Sequence, residues 1–190
     1  MNTGFLSNDT VVLRGLRRSD LEAHRAWLDN PEVTRYLENG WKPASDADLD
    51  AIYDQAAQSN DTVLLVIEDA KQNQAVGTVG LYLINWPGRR AQFRILIGEP
   101  AAWDRGLGTA ATKLIVAHGF ERLNLETIYL GVNADNERAV RAYEKAGFSH
   151  EGVQRHFVYN GGRYFDVAMM SILRNEYFAA AGGPTGGAAG

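Results

Sequence analysis

Apolar positions along the chain follow two spacings, one typical of strands and one typical of helices. Alternating or continuous apolar runs between turn signals predict strands at residues 11–16, 62–68, 75–83, 91–97, 127–132, 148–157 and 164–173. Apolar residues three or four apart predict helices at residues 21–28, 31–37, 46–56, 107–119 and 137–146. The predicted order is therefore one strand, several helices, three strands, and then helices alternating with the remaining strands.

This order predicts an α+β fold built on a single mixed, mostly antiparallel sheet of about seven strands flanked by helices. Residues 91–132 have the strand–helix–strand pattern that calls for a parallel pair. Asn160-Gly161-Gly162 predicts a tight hairpin turn before the last strand. We expect one domain over residues 1–178, followed by a disordered Gly- and Ala-rich tail over residues 179–190.

The composition excludes several classes of function. The 190 residues are 45% hydrophobic and 22% charged, as in an ordinary globular protein. The sequence has no cysteine, which excludes thiolate nucleophiles, thiolate metal sites and disulfides, and we expect no metal site. A formal net charge of −4 gives no general attraction to nucleic acid or to acidic membranes. No signal peptide or membrane-spanning run is recognisable, so we expect a cytoplasmic enzyme. We expect neither nucleic acid nor a membrane as a partner.

A glycine-containing segment, Trp103-Asp104-Arg105-Gly106-Leu107-Gly108-Thr109, lies between a predicted strand and a long predicted helix. Backbone N–H groups at such a place converge on an anion, and the helix N-terminus adds partial positive charge, so a phosphate is the natural ligand. The same segment fits the glycine fingerprint of dinucleotide-binding folds, but residues 98–105 separate it from its strand. It is not a P-loop, because no Lys-Ser/Thr follows the second glycine. A tight turn without a ligand remains an alternative.

A second motif occupies the next predicted helix. Asn136 is placed to cap it, and Ala139 and Tyr143 follow three and seven residues later. At about 100° per residue these three side chains form one stripe, in which the small Ala139 leaves room for a ligand to pass. Gly147 is placed to end the helix. The alternative interpretation is a cap and a core aromatic residue with no ligand.

Together the two motifs resemble those of the GNAT superfamily of acetyl-CoA-dependent N-acetyltransferases. Gly106 and Gly108 fill the glycine positions of that family's cofactor motif. The later family motif, Asn-x-x-Ala-x-x-x-Tyr-x-x-x-Gly-Phe, is matched at every defined position by residues 136–148. The resemblance extends over about residues 11–177, and the closing hairpin resembles the branch of ribosomal-protein alanine and spermidine acetyltransferases. It implies the GNAT fold, whose sheet is splayed at its centre.

The resemblance implies that acetyl-CoA is the co-substrate. Backbone N–H groups of residues 105–109 would hold its pyrophosphate, and the Arg105 side chain would add charge. The pantetheine arm would lie along residues 93–97 where the central strands splay apart, with Asn136 at its far end. The cofactor-binding residues implied in this way are Phe93, Leu96, Ile97, Arg105, Gly106, Leu107, Gly108, Thr109, Asn136 and Ala139.

The resemblance also implies direct attack of a primary amine on the thioester. A backbone N–H near Leu96 or Ile97 would polarise the carbonyl group, and Asn136 and Tyr143 are the expected catalytic residues. Tyr143 would protonate the departing thiolate, since a phenol with a pKa near 10 can give a proton to a sulfur that it contacts.

The general base is not identified by the sequence. Many relatives have a glutamate at the position of Gln92, which cannot accept a proton, and Arg94 stands where a small residue is common. Trp103 likewise replaces a Gln or Arg of the family motif. The remaining candidates for the base are Glu99, His118, His156, Glu38 and a chain of water molecules.

The early helices, residues 27–53, are expected to line the acceptor site. Acidic residues are frequent there, together with Tyr36 and Trp41, and would suit a polyamine, an aminoglycoside or an amino sugar. A protein N-terminus is the further acceptor class. The predicted acceptor-binding residues are Tyr36, Glu38, Trp41 and Tyr164. The alternative for the acidic residues is an ordinary solvated helix surface.

Three interpretations of the whole chain therefore stand. The first is an N-acetyltransferase for a small or peptide amine, assembled as a homodimer or a higher homo-oligomer. The second is a non-catalytic protein that binds acyl-CoA as a sensor or partner module, since the usual glutamate is missing. The third, more distant, is a hydride-transfer enzyme that uses the glycine fingerprint for a dinucleotide.

Overall fold

A computed structural model describes residues 4–37 and 42–182. The described part contains one eight-stranded sheet with the strand order β1-β2-β3-β4-β5-β6-β8-β7. The strands are β1 (Leu6–Ser7), β2 (Val11–Gly15), β3 (Val63–Asp69), β4 (Gln74–Asn85), β5 (Arg90–Ile97), β6 (Thr127–Asn133), β7 (Ser149–Asn160) and β8 (Arg163–Leu173). All seven predicted strands are confirmed, and β1 is a two-residue addition that the sequence analysis missed.

The helices also follow the predicted order. They are α1 (Leu21–Leu28), α2 (Pro31–Thr34), α3 (Asp46–Gln58), α4 (Leu107–Glu121), α5 (Glu137–Lys145) and α6 (Arg174–Ala180). Side chains of Asn30, Ser45 and Asn136 accept backbone N–H bonds at the starts of α2, α3 and α5. Helix α6 was not predicted, and its end at Ala180 lies two residues inside the predicted tail. Residues 183–190 of that tail lie outside the described residues.

The main core lies between one face of the sheet and α4. Leu13, Ile67, Leu81 and Phe93 of the sheet are almost fully buried, as is Ile115 of α4. They form one cluster with neighbouring apolar residues of β6, β8 and α4. Burial of these side chains, each contributing about 1.5–3 kcal/mol, fixes α4 across the centre of the sheet.

The two central strands, β5 and β6, are the parallel pair that the sequence analysis predicted. They pair only through Arg90–Gln92 and Thr127–Tyr129, although β5 continues to Ile97 and β6 continues to Asn133. Beyond Gln92, β5 keeps its pairing with β4, and β6 keeps its pairing with β8. The central strands therefore diverge into a wedge, which confirms the splayed sheet.

Candidate active site

The wedge is bounded on one side by residues 93–97 of β5, whose edge toward β6 has no strand partner. Helix α5 follows β6 in the chain and lies beside the wedge. The ring of Tyr143 on α5 meets the ring of Phe93 edge to face, with 5.7 Å between the ring centres. Phe148, just after α5, packs against both rings. Burial of this aromatic cluster places the α5 tyrosine beside the open edge of β5.

The glycine segment forms the N-terminal end of α4. Gly106 adopts φ = +78°, a left-handed conformation that glycine takes without strain, and the helix begins at Leu107. None of the backbone N–H groups from Arg105 to Thr109 donates a hydrogen bond to another atom within the described part of the chain. These groups converge at a helix N-terminus, which is the arrangement that binds phosphate groups.

Side chains flanking this segment tie it to β5 and to β3. The indole Nε1 of Trp103 donates to the carbonyl oxygen of Ile97 at 2.8 Å. The Arg105 guanidinium donates to the carboxylate of Asp69 at 2.5 Å, and Asp69 is almost fully buried. The Arg105 side chain is thus paired with Asp69, and its role toward the pyrophosphate stays a prediction.

Arg138 is a cation near this segment that the sequence analysis missed. Its guanidinium carbon lies 4.1 Å from the centre of the Trp103 ring, and its side chain is 4.0 Å from the carboxylate of Asp104. It is the second residue of α5 and lies two residues after the Asn136 cap. The proximity of an arginine to the cap of a predicted ligand-binding helix is the signal that could have identified it.

Asn136 and Ala139 are joined by the helix cap itself. The side-chain oxygen of Asn136 accepts the backbone N–H of Ala139 at 3.2 Å. That bond occupies the oxygen and leaves the amide NH2 as the group of Asn136 that is available to a ligand. The structure thus confirms Asn136 as a cap, while its role toward the pantetheine arm stays a prediction.

Tyr143 is half-buried, and its hydroxyl has no hydrogen-bond partner among the described residues. Burial raises the pKa of Tyr143, because a phenolate is poorly solvated there. The phenol is therefore protonated throughout the range in which the enzyme is expected to work. A protonated hydroxyl free of internal partners is suited to donate to a leaving group.

Gln92 and Arg94 point away from the core, on the face of β5 opposite Phe93. The Gln92 side-chain oxygen accepts from Nε and Nη2 of Arg94 at 3.1 and 2.7 Å. The Arg94 guanidinium carbon also lies 5.0 Å from the centre of the Tyr82 ring on β4. Gln92 therefore orients an arginine in the place where a proton acceptor was sought.

The remaining base candidates are dispersed over the molecule. His118 is buried near the end of α4, about 16 Å along the helix axis from its start, and burial lowers the pKa of His118. His156 is exposed and stacks on Tyr164 on the β7–β8 hairpin. Glu99 follows β5 on the side of Arg105. Glu38 lies outside the described residues.

The acceptor-binding predictions have mixed outcomes. Tyr36 is half-buried just after α2, and the neighbouring Arg35 carbonyl accepts from the Asn160 side chain at 3.3 Å. Tyr164 is exposed and contacts the Tyr159 ring, with 5.0 Å between the ring centres. The hydrogen bond joins the segment of Arg35 and Tyr36 to the end of β7, and Tyr164 lies at the start of β8 across the same turn. Glu38 and Trp41 lie outside the described residues.

A close contact at the end of β5 was also missed. A Cβ atom on Gly98 would lie 2.1 Å from Cγ of Trp27, so the indole of α1 packs directly on the glycine backbone. The glycine follows Ile97, the last residue of the open edge. This contact fixes α1 against the wedge, and no sequence pattern pairs the two residues.

Within the described ranges, His, Asp and Glu side chains form no group of three that could hold a metal ion. Among the same residues, no helix is both long and apolar enough to cross a lipid bilayer.

Comparison with known proteins gives consistent matches. Residues 10–149 match the model of the acetyltransferase (GNAT) domain family. Spermidine N(1)-acetyltransferase of Escherichia coli K12 is 35% identical over 174 residues, which cover 91% of each chain.

Two solved structures of spermidine N-acetyltransferase from Vibrio cholerae are similar along nearly their whole length. The complex with CoA and spermine aligns with a TM-score of 0.81 and 32% identity, over 90% of this chain and 99% of that one. A dodecameric structure described as an intermediate state aligns with a TM-score of 0.76 and 33% identity, over 92% of this chain and 99% of that one.

Proposed function

We propose that this chain, which belongs to the GNAT acetyltransferase family and transfers acetyl groups from acetyl-CoA to amines, acts on a polyamine of the spermidine class. The observation that carries the proposal is the similarity to spermidine acetyltransferases over about nine tenths of both chains. One of those relatives is described in complex with spermine, a polycationic amine. A polyamine also lies within the acceptor classes that the sequence favoured.

The charges of the early helices refine this proposal. Three of the predicted acidic residues are already paired in the structure, and the pairs are Arg25–Asp46, Lys42–Asp48 and Arg18–Asp50. The exposed carboxylate of Glu32 on α2 has no ion pair with another described residue. It lies four residues before Tyr36. Glu32 is therefore the described acidic residue that we propose receives a distal ammonium group, whereas the guanidinium carbon of Arg35 already lies 5.4 Å from the centre of the Tyr36 ring.

The proposed binding of acetyl-CoA uses the backbone more than side chains. The N–H groups of residues 105–109 bind the pyrophosphate, and the open edge of β5 pairs with the pantetheine arm. Arg138 adds positive charge beside the same loop. A backbone N–H near Leu96 or Ile97 donates to the thioester oxygen, where negative charge grows as the amine attacks.

The proposed chemistry is a direct transfer. The neutral amine nitrogen attacks the thioester carbonyl, a C–N bond forms, and the C–S bond breaks. Tyr143 gives its proton to the departing thiolate and regains one from solvent. The extra proton on the attacking nitrogen leaves to water as the amide forms.

The test measures thiol release from acetyl-CoA with a panel of amines, together with the mass of the product. The panel contains spermidine, spermine, putrescine, an aminoglycoside, an amino sugar and a peptide with a free N-terminal alanine. We expect the highest kcat/KM with spermidine or spermine and a product carrying one added acetyl group. Turnover confined to the peptide would overturn the polyamine acceptor. Binding of CoA without turnover of any amine would favour the acyl-CoA sensor.

The assembly and location form the remaining part of the proposal. A relative is described as a dodecamer, and the sequence led us to expect a homo-oligomer. We infer that this chain also assembles with copies of itself, and we retain the cytoplasm as its proposed location.

A further inference from the structure

A side chain covers the last backbone group of β5 at the wide end of the wedge. The backbone N–H of Gly98 donates to the Val76 carbonyl of β4 at 2.9 Å. Because a trans peptide places its C=O and its N–H on opposite sides, the Ile97 carbonyl oxygen faces the open edge instead. The indole Nε1 of Trp103 donates to that oxygen at 2.8 Å. The Trp103 ring is thereby attached to the open edge of β5 at its last residue.

Arg138 of α5 stacks on the same ring. Its guanidinium carbon lies 4.1 Å from the ring centre, well within the range of a cation–π contact. Helix α5 follows β6, so this contact joins the β6 side of the wedge to the end of β5. At a level where β5 and β6 no longer pair, the two side chains form a link that we call the Trp103–Arg138 bridge.

A second contact ties α5 to β5 at the narrow end of the wedge. Tyr143 meets Phe93 there, with 5.7 Å between the ring centres. Phe93 and Ile97 are the first and last residues of the open edge and lie about 13 Å apart along the strand. The two contacts therefore bound the stretch of β5 along which the pantetheine arm is proposed to lie.

Helix geometry places Arg138 away from the stripe proposed to contact the cofactor. At about 100° per residue, Arg138 lies about 160° from Asn136, about 100° from Ala139 and about 140° from Tyr143 around the helix axis. Arg138 and Tyr143 are also about 7.5 Å apart along that axis. The arginine can thus fix the N-terminal part of α5 without filling the space beside the stripe.

We propose that the Trp103–Arg138 bridge sets the width of the wedge at its open end, and so holds the Tyr143 hydroxyl at the sulfur of acetyl-CoA. This inference rests on the proposed amine acetyltransferase activity. Trp103 and Arg138 are positioning residues, and the transfer itself is unchanged: the amine attacks, the C–S bond breaks, and Tyr143 protonates the thiolate. Positioning has a large effect on rate, since a displacement of about 1 Å can slow a reaction by about 10²-fold.

The test measures the rate of a single turnover, with enzyme at saturating excess over acetyl-CoA and the best amine of the panel. This rate reports the chemical step separately from product release. We expect Arg138→Gln and Trp103→Leu each to slow it by about threefold to thirtyfold, the range that corresponds to the loss of a cation–π contact. Trp103→Leu breaks the bridge without changing any charge, so its rate decides the question if Arg138→Gln does not fold.

Arg141→Gln is the matched control. Arg141 is an exposed arginine on the same helix, and it pairs with Glu137 at 2.9 Å instead of joining the bridge. Its replacement removes the same charge from α5 and should leave the single-turnover rate within twofold of the wild type. Equal slowing in Arg141→Gln and Arg138→Gln would overturn the proposal, because the effect would then be one of charge on the helix.

A second comparison tests whether the bridge acts through Tyr143. In a Tyr143→Phe background, which lacks the hydroxyl, Arg138→Gln should slow the turnover by less than about twofold. A full additional loss there would show that the bridge does not position that hydroxyl.

Two further outcomes separate this inference from the proposed function. An Arg138→Gln enzyme with the wild-type single-turnover rate and a raised KM for acetyl-CoA would overturn the positioning role, because Arg138 would then only attract the phosphates. The acetyltransferase proposal would stand in that case. A wild type that turns over no amine would overturn both.

Discussion

Among single residues, Tyr143 supports the most direct prediction. Its ring packs against Phe93 and Phe148, so Tyr143→Phe removes the hydroxyl and keeps those contacts. Because acid catalysis contributes about 10²–10⁴-fold, we expect kcat to fall by about that factor. The KM for acetyl-CoA should change less than about threefold, since the phenol acts on the leaving group rather than on cofactor binding. Steady-state thiol release over a range of acetyl-CoA concentrations measures both constants.

The control for this prediction is the stability of the variant. The Tyr143 hydroxyl has no partner among the described residues, so its removal leaves no buried group unpaired. The thermal unfolding midpoint should therefore stay close to that of the wild type. A kcat within threefold of the wild type would exclude Tyr143 as the acid.

Glu32 supports a prediction about the acceptor. An exposed carboxylate that attracts a distal ammonium contributes about 0.2–1 kcal/mol, which corresponds to an increase of up to about fivefold in the KM for spermidine in Glu32→Gln. The effect should weaken as salt is added, because salt screens exposed charges. Asp50→Asn is the matched control, since Asp50 is exposed and already paired with Arg18. Equal KM values for Glu32→Gln and the wild type at low salt would remove Glu32 from the acceptor site.

At the scale of elements, α1 meets the end of β5 at the close contact between Trp27 and Gly98. Gly98→Ala would place a Cβ 2.1 Å from Trp27, and overpacking of this kind costs about 1–3 kcal/mol. We expect the free energy of unfolding to fall by about that amount, and the KM for acetyl-CoA to rise because the end of β5 shifts. Chemical denaturation and steady-state kinetics measure the two effects.

A second variant separates this collision from a general intolerance of Gly98. Replacing Trp27 by leucine removes the ring that the added methyl group meets, so Gly98→Ala should cost less in a Trp27→Leu background than in the wild type. Additive losses of stability in the double variant would show that the indole does not determine the requirement for glycine.

The elements also show how far the sequence could predict the site. The parallel pair, the glycine loop and the Asn136–Tyr143 stripe each follow from local spacing, and the structure has all three. The pairing of Arg105 with Asp69 joins residues 36 positions apart, and the contact between Trp27 and Gly98 is likewise distant in sequence. Such contacts depend on how elements pack, so no local pattern reports them. The sequence alone also left Gln92 and Arg94 unexplained, because their interaction becomes visible only when strand faces are assigned.

For the molecule as a whole, the edge strand β7 is the least covered part of the sheet. It is twelve residues long, its one partner among the described strands is β8, and nearly all of its side chains are exposed. Val153 and Phe157 on this strand are 58% and 57% exposed. An edge strand of this length invites pairing with another chain unless it is protected. On the proposal that copies of this chain assemble, β7 is therefore the predicted contact between them.

The corresponding prediction concerns mass in solution. We expect the wild type to sediment as a multiple of its 20.9 kDa chain, and Val153→Lys to shift the population to smaller species at the same concentration. A lysine on the edge is the means by which natural sheets prevent pairing, since burying its charge in an interface is costly. Leu83→Lys on β4 is the matched control, because Leu83 is 55% exposed and lies away from β7. A monomeric wild type, or equal dissociation in both variants, would show that β7 does not hold the copies together.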